Sequence, residues 1–218
     1  MNKINGYLQS RIVAFLMNLH ITPRPIYFVR HGESVYNVEN RIGGDPELTE
    51  KGTNFAKRLN RFFISELNQK TSETPKKVKI FTSTMRRATC TANALELSSK
   101  PVYLKSLDEL SAGVCDGMTY HEIDEMFPLE YKDRKTDKLN YRYPRGESYM
   151  DLIHRVEPII FEIERSKDPV IVVAHQGVLR CLYAYFSKHE IKEVPFISIP
   201  LHTVIKLIPE TYYAHEFR

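Results

Sequence analysis

Two uninterrupted apolar runs, Ile26–Val29 and Val170–Ala174, stand out along the chain, and each ends at a histidine with a glycine close behind, Arg30-His31-Gly32 in one case and His175-Gln176-Gly177 in the other. Runs of this length, rich in β-branched and aromatic residues, predict strands buried on both faces of a sheet. Val78, Ile80 and Phe81 predict another strand, as do Pro101 to Leu104 and Thr203 to Ile208. Between them the spacing turns helical. Thr49 can cap a helix that presents Phe55, Leu59, Phe62, Phe63 and Leu67 on one face. Thr82 to Arg87 opens a second helix, and Thr119 with Glu122 forms a capping box for a third that Pro128 interrupts. Ser148 starts a long one whose apolar face runs Leu152, Ile153, Val156, Ile159, Ile160 and Ile163, with a bend expected at Pro158, and Val178 to Phe186 forms another. Gln69 to Lys77 reads as an exposed loop, and the charged, tyrosine-rich stretch from Glu130 to Arg145 reads as a solvated surface.

Strands alternating with helices predict an α/β fold, a three-layer sandwich with a mostly parallel central sheet flanked by helices. Helical spacing of Ile4, Tyr7, Leu8, Ile12, Phe15, Leu16 and Leu19, stopped by Pro23 and Pro25, predicts an N-terminal helical extension over residues 1–24 ahead of one domain over 25–218. Open sheets of this kind bind ligands at the carboxyl ends of their strands. Parallel strands ending at one edge therefore bring His31 and His175 together.

Composition narrows the function. At 218 residues one well-cored domain is expected, and 42% hydrophobic with 27% charged residues is ordinary for a globular protein. A net charge of +4 suits an anionic small molecule and is too weak to imply nucleic acid. Three cysteines, Cys90, Cys115 and Cys181, are odd in number and far apart, which fits a reducing, cytoplasmic setting. No apolar run has membrane length, and the N-terminal apolar stretch is broken by Arg11 and Asn18 without a small-residue cleavage site.

The polar residues at the strand ends point to phosphoryl chemistry. A neutral imidazole attacks phosphorus when its other ring nitrogen is held by an acceptor and the equatorial oxygens are neutralised. Arg30, one of Arg86 and Arg87 at a helix start, and His175 can form such a cradle without a metal. Like-charge repulsion from a bound phosphate would keep a proton on a neighbouring carboxyl, which suits Glu109 as the acid for the leaving alkoxide. A metal site from His31, His175, Cys115 and Asp108 is disfavoured, because adjacent arginines repel a divalent cation and no His-Glu-x-x-His spacing occurs.

Arg30-His31-Gly32-Glu33-Ser34, followed by Asn37 and by Arg41-Ile42-Gly43-Gly44-Asp45, resembles the opening of the histidine phosphatase superfamily, which implies a phosphoglycerate mutase-like fold. The resemblance implies that His31 is the phosphohistidine nucleophile, that Arg30, Arg87, His175 and Asn37 bind the transferred phosphoryl group, and that Glu109 is the proton donor. Glu109 to Tyr120, Tyr141 to Tyr149 and Pro200 to Val204 resemble, more narrowly, the fructose-2,6-bisphosphatase part of the bifunctional 6-phosphofructo-2-kinase/fructose-2,6-bisphosphatase family. Asn5 to Arg24 is similar to that family's segment between kinase and phosphatase. On this likeness Gly43, Tyr120, Arg134, Lys138, Tyr149, Gln176 and Arg180 would contact the sugar and its second phosphate. Arg134 and Lys138 lie one turn apart if that stretch is helical. The implied partner is a sugar bisphosphate, with no cofactor or metal, no nucleic acid, no membrane, and a homodimer as an option. No Gly-x-x-x-x-Gly-Lys-Thr loop occurs, so a phosphatase without its kinase is expected in this chain. The rival expectations are a broad phosphatase or phosphoglycerate mutase of the same superfamily, and a silent sensor of sugar phosphates.

Overall fold

The computed structural model describes residues 12, 13, 16, 23–67, 77–209 and 214–218. The predicted N-terminal helix and the Gln69–Lys77 loop lie outside them, apart from Ile12, Val13, Leu16, Pro23, Arg24 and Lys77. The strands are β1 (Ile26–Arg30), β2 (Lys79–Thr82), β3 (Val102–Tyr103), β4 (Val170–Ala174), β5 (Val204–Pro209) and β6 (Ala214–Phe217). They form one sheet in the order β3-β2-β4-β1-β5-β6. Pairing is parallel from β3 through β1, while β5 runs antiparallel to both of its neighbours. The sheet is thus mixed, with β5 alone reversed, and β6 was not signalled by its short polar sequence.

The helices are α1 (Val35–Val38), α2 (Glu50–Glu66), α3 (Arg86–Asn93), α4 (Tyr120–Met126), α5 (Pro128–Thr136), α6 (Tyr149–Glu164) and α7 (Gln176–Ser187). Period-two alternation on the central strands divides the core into two layers. Ile26, Phe28, Val170 and Val172 pack with Leu152 and Val156 of α6 and Leu179 and Leu182 of α7. Tyr27, Val29, Ile171 and Val173 pack with Leu59 and Phe63 of α2. Both faces being covered, β1 and β4 need apolar residues at every position, which is why their sequence runs unbroken.

Thr49 caps α2, its hydroxyl accepting from Gly52 N at 3.1 Å, and the Thr119–Glu122 and Ser148–Asp151 capping boxes start α4 and α6. Four expectations need correction. Phe62 is 41% exposed, because α2 turns Ala56, Leu59 and Phe63 inward instead. Helix α7 begins at Gln176, directly after His175. Helix α5 ends at Thr136, so Arg134 and Lys138 do not share a helical face. Finally, the stretch from Glu130 to Arg145 is no mere solvated surface, since Tyr143 is 6% exposed and packs with Ala112, Cys115 and Ile123.

Candidate active site

The register of β1 and β4 assembles the site. Arg30 stands opposite Ala174 in the parallel ladder, so the next residues on the two strands are the two histidines. His31 N donates to Ala174 O at 3.0 Å, and the imidazole centroids lie 5.1 Å apart. Both rings are buried. Gly32 makes room for a neighbouring stretch of backbone. A Cβ there would fall 2.5 Å from Gly52 O, and one on Gly52 would fall 2.1 Å from Glu33 O. The first turn of α2 therefore packs backbone to backbone on the loop after His31, and Thr49 N donates to Glu33 O at 2.9 Å to hold it there.

Donor and acceptor accounting assigns the tautomer of His31. Its Nδ1 lies 2.7 Å from Gly32 O, a carbonyl that only accepts, so Nδ1 carries the proton. Its Nε2 is unprotonated, and its one lone pair accepts the Nε–H of Arg87 at 3.2 Å. Burial, then the charge of Arg87, holds the ring pKa well below the ordinary histidine value, keeping it neutral. Arg87 is itself fixed by Gly44 O at 2.7 Å, with Asp45 at 3.8 Å. Arg30 reaches Ile199 O at 3.2 Å. Arg86 points outward to Glu47, and its backbone N–H at the start of α3 is taken by Asp45 at 2.7 Å, so this helix end is no open anion site.

Glu109 sits in the loop after β3. Its carboxylate accepts from Leu110 N at 2.9 Å and from Gly177 N at 3.1 Å. A Cβ on Gly177 would fall 2.6 Å from Glu109 Oε1, which explains the glycine of the second histidine motif. Arg155 braces this loop from behind, donating to Ser106 O and Asp108 O at 3.0 and 2.9 Å while forking onto Glu147 at 2.7 and 2.9 Å.

In front of the histidines opens a cleft of about 370 Å³. Arg30, His31, Asn37, Gly43, Arg87, Glu109, Tyr120, Arg134, Lys138, Tyr149, Gln176 and Arg180 line it. Of the sequence-predicted site residues, His175 alone stands outside that lining, fully buried behind His31. Away from the histidines the cleft is again cationic. Arg134 lies 4.4 Å from the Tyr120 ring centroid and donates to its hydroxyl at 2.6 Å. Lys138 donates to Pro195 O at 2.8 Å, and Arg180 to Tyr149 Oη at 2.8 Å. Burial, then repulsion from Arg180 and Arg134, lowers Lys138 to about 8. Gly43 adopts φ +66°, and its missing side chain lets Asp116 approach to accept from Gly44 N at 3.0 Å. Asn37 Oδ1 is occupied locally by Ser34 N and Ser34 Oγ, each at 3.0 Å.

Tyr36, Arg41, Tyr141 and Tyr143 also line the cleft, and sequence reasoning did not assign them. The alternation Tyr141, Tyr143 beside the Pro144-Arg145-Gly146 turn was the available signal. Among the described residues no group of three His, Cys, Asp or Glu side chains could hold a metal ion, and no helix is long and apolar enough to cross a membrane.

The chain is 49% identical over 214 residues to fructose-2,6-bisphosphatase of Saccharomyces cerevisiae, covering 97% of this chain and 45% of that protein. It is 51% identical over 206 residues to a 6-phosphofructo-2-kinase/fructose-2,6-bisphosphatase of Arabidopsis thaliana, covering 94% of this chain and 27% of that one. It thus spans less than half the length of these relatives. Among solved structures, a mycobacterial glucosyl-3-phosphoglycerate phosphatase, determined as a complex with VO3, superposes with TM-score 0.70 at 26% identity, covering 85% of this chain and 95% of the other. Residues 26–215 match the histidine phosphatase superfamily, branch 1, and the chain belongs to that family.

Proposed function

We propose that the chain hydrolyses the 2-phosphate of fructose 2,6-bisphosphate to fructose 6-phosphate and phosphate through a phosphohistidine on His31. The observation that carries the reading is a neutral imidazole whose unprotonated Nε2 is held by Arg87 at one end of a cleft, the other end holding a second group of cations, Arg134, Lys138 and Arg180. The first end suits a phosphoryl group in transfer, and the second suits a phosphate that stays on the sugar.

In the first step His31 Nε2 attacks phosphorus, the bond from phosphorus to the sugar oxygen breaks with its electron pair, and Glu109 protonates that oxygen. The ring is then a phosphorylated imidazolium, and its Nδ1–H donation to Gly32 O stabilises the positive charge. Arg30 and Arg87 neutralise the equatorial oxygens, and Arg87 leaves the Nε2 lone pair to do so. In the second step the Glu109 carboxylate takes a proton from water as the water oxygen bonds to phosphorus. Phosphate departs and His31 is neutral again. The relatives named for this activity support the substrate. Free Cys90, Cys115 and Cys181 support a reducing, cytoplasmic setting as part of the same proposal.

The test supplies fructose 2,6-bisphosphate in the presence of EDTA and follows fructose 6-phosphate and free phosphate together. Equal release of both is expected. Preferential transfer of phosphate onto phosphoglycerate, or cleavage of simple phosphate esters as fast as the bisphosphate, would replace this reading with that of a mutase or a broad phosphatase.

A further inference from the structure

His175 is held by a hydrogen-bond chain that ends in a carboxylate, and the chain determines where its proton sits. His175 Nε2 lies 2.7 Å from Ser83 Oγ, and Ser83 Oγ lies 2.8 Å from Asp108 Oδ1. Met85 N also donates to Ser83 Oγ, at 3.0 Å. A hydroxyl has one proton and two lone pairs. The proton goes to Asp108, which as a carboxylate only accepts, and one lone pair receives Met85 N–H. The remaining lone pair faces His175, so Nε2 must be the donor. The Nδ1 atom then bears a lone pair, and among the described residues it is buried without a partner.

We infer that Asp108 and Ser83 lock His175 in the Nε2–H tautomer, the reverse of His31, so that its bare Nδ1 takes up a proton when a phosphoryl anion enters. Ser83 and Asp108 are thereby positioning residues that act through His175. An anion held by Arg30 and Arg87 offsets the charges that oppose protonation of the ring, so occupancy of the site favours the doubly protonated form. Asp108, reached through Ser83, stabilises that imidazolium. The other charged or titratable groups around the ring are Arg30 at the end of β1, His31 just after it, Arg87 on α3 and Arg155 on α6. Burial, then Arg87, His31, Arg30 and Arg155, oppose its protonation, so the ring stays neutral until an anion arrives. The uptake step rests on the phosphatase reading; the tautomer in the free protein does not.

The experiment is nitrogen-15 NMR of the histidine rings in the intact protein, with and without saturating inorganic phosphate. In the free protein His175 should show a protonated Nε2 and a bare Nδ1, opposite to His31. With phosphate, both His175 nitrogens should carry protons. Ser83→Ala removes the acceptor and should abolish the pure Nε2–H signature. Asp108→Asn can turn an amide N–H toward Ser83 Oγ, freeing its hydroxyl to donate to His175, and should move the population toward Nδ1–H. Ser83→Thr should restore the parental ring. A protonated Nδ1 in the free parent, or a ring unchanged in both Ser83→Ala and Asp108→Asn, would overturn the lock. A bare Nδ1 with phosphate bound, binding being read from the phosphorus-31 signal, would overturn the uptake. Phosphate that fails to bind at all would count against the phosphatase reading and leave the lock standing on the free-protein spectra.

Discussion

The two ends of the cleft are built by different means. At the histidine end both histidines and Arg30 and Arg87 hang from the sheet or from a helix start packed on it, and Glu109 comes from a loop that Arg155 braces. His31 and His175 follow adjacent parallel strands, and Arg87 stands in the first turn of α3, 4% exposed. At the far end Arg134 comes from a short helix without a buried residue, and Lys138 from the turn after it. Their partners there are aromatic rings and single carbonyls. Strand register fixes relative positions to within a hydrogen bond, which a two-step transfer at phosphorus needs. A loop-borne pocket holds an unreacting phosphate well enough and can change its ligand without disturbing the chemistry.

The division is broken most severely from the histidine end. His31→Ala should lower kcat by on the order of 10⁴-fold or more, as loss of a nucleophile does elsewhere. Rapid quenching with labelled bisphosphate should trap an acid-labile, alkali-stable protein phosphate in the parent and none in the variant. Equal label in both would move the nucleophile elsewhere. Next in size is Glu109→Gln, expected to cost roughly 10²- to 10⁴-fold in kcat on the sugar bisphosphate, the usual worth of a positioned acid. With p-nitrophenyl phosphate, whose leaving group needs no proton, enzyme phosphorylation should fall far less. Equal losses would take the acid role from Glu109.

The same division governed what could be read from the residues alone. The apolar runs of β1 and β4 announce buried strands because both faces of the central sheet are covered, and their common edge follows from parallel pairing. Arg87 over Arg86 was legible only through resemblance, since the two share a helix start and differ in which of them α3 turns inward. The Glu130 to Arg145 stretch was misread because its charges are balanced by its own tyrosines and by Tyr120 and Pro195 O from elsewhere in the chain, partners that no local period records. Gly32 and Gly177 were visible as glycines, yet what they accommodate, the Gly52 backbone and the Glu109 carboxylate, is supplied by tertiary structure. The lock on His175 combines Ser83, Asp108 and Met85, none of them near it in sequence, and lay beyond any motif.

From the loop-borne end the effects are smaller and selective. Arg134→Ala or Lys138→Ala removes charge-assisted contacts to the phosphate that is not cleaved, each worth about 1.5 to 3 kcal/mol. Binding of fructose 2,6-bisphosphate should weaken roughly tenfold to more than a hundredfold, while turnover of a small monophosphate ester changes little. Parental KM and kcat in both variants would remove the second anion pocket and leave a phosphatase of unknown substrate.

The smallest effect is a pH dependence confined to the far end. Lys138 is held at about 8, against an ordinary lysine near 10.5, by burial and by the neighbouring Arg180 and Arg134. In the free protein it is therefore charged at pH 7 and largely neutral at pH 9. An incoming phosphate prefers the protonated form, so binding above pH 8 requires uptake of a proton and weakens as pH rises. The loss should approach tenfold between pH 7 and 9 if only the charged form binds. Substrate ionisation does not contribute, because phosphate monoesters complete their second ionisation near pH 6. Replacing Lys138 by Arg keeps a charge across the whole range and should flatten the profile, and Lys138→Met should flatten it at the weaker level. A monophosphate that does not reach this pocket supplies the control, since any limb it shares with the bisphosphate belongs to the histidine end. If KM for the bisphosphate is level from pH 7 to 9 in the parent, Lys138 does not hold the second phosphate as a cation, and the specificity of the far end rests on the arginines.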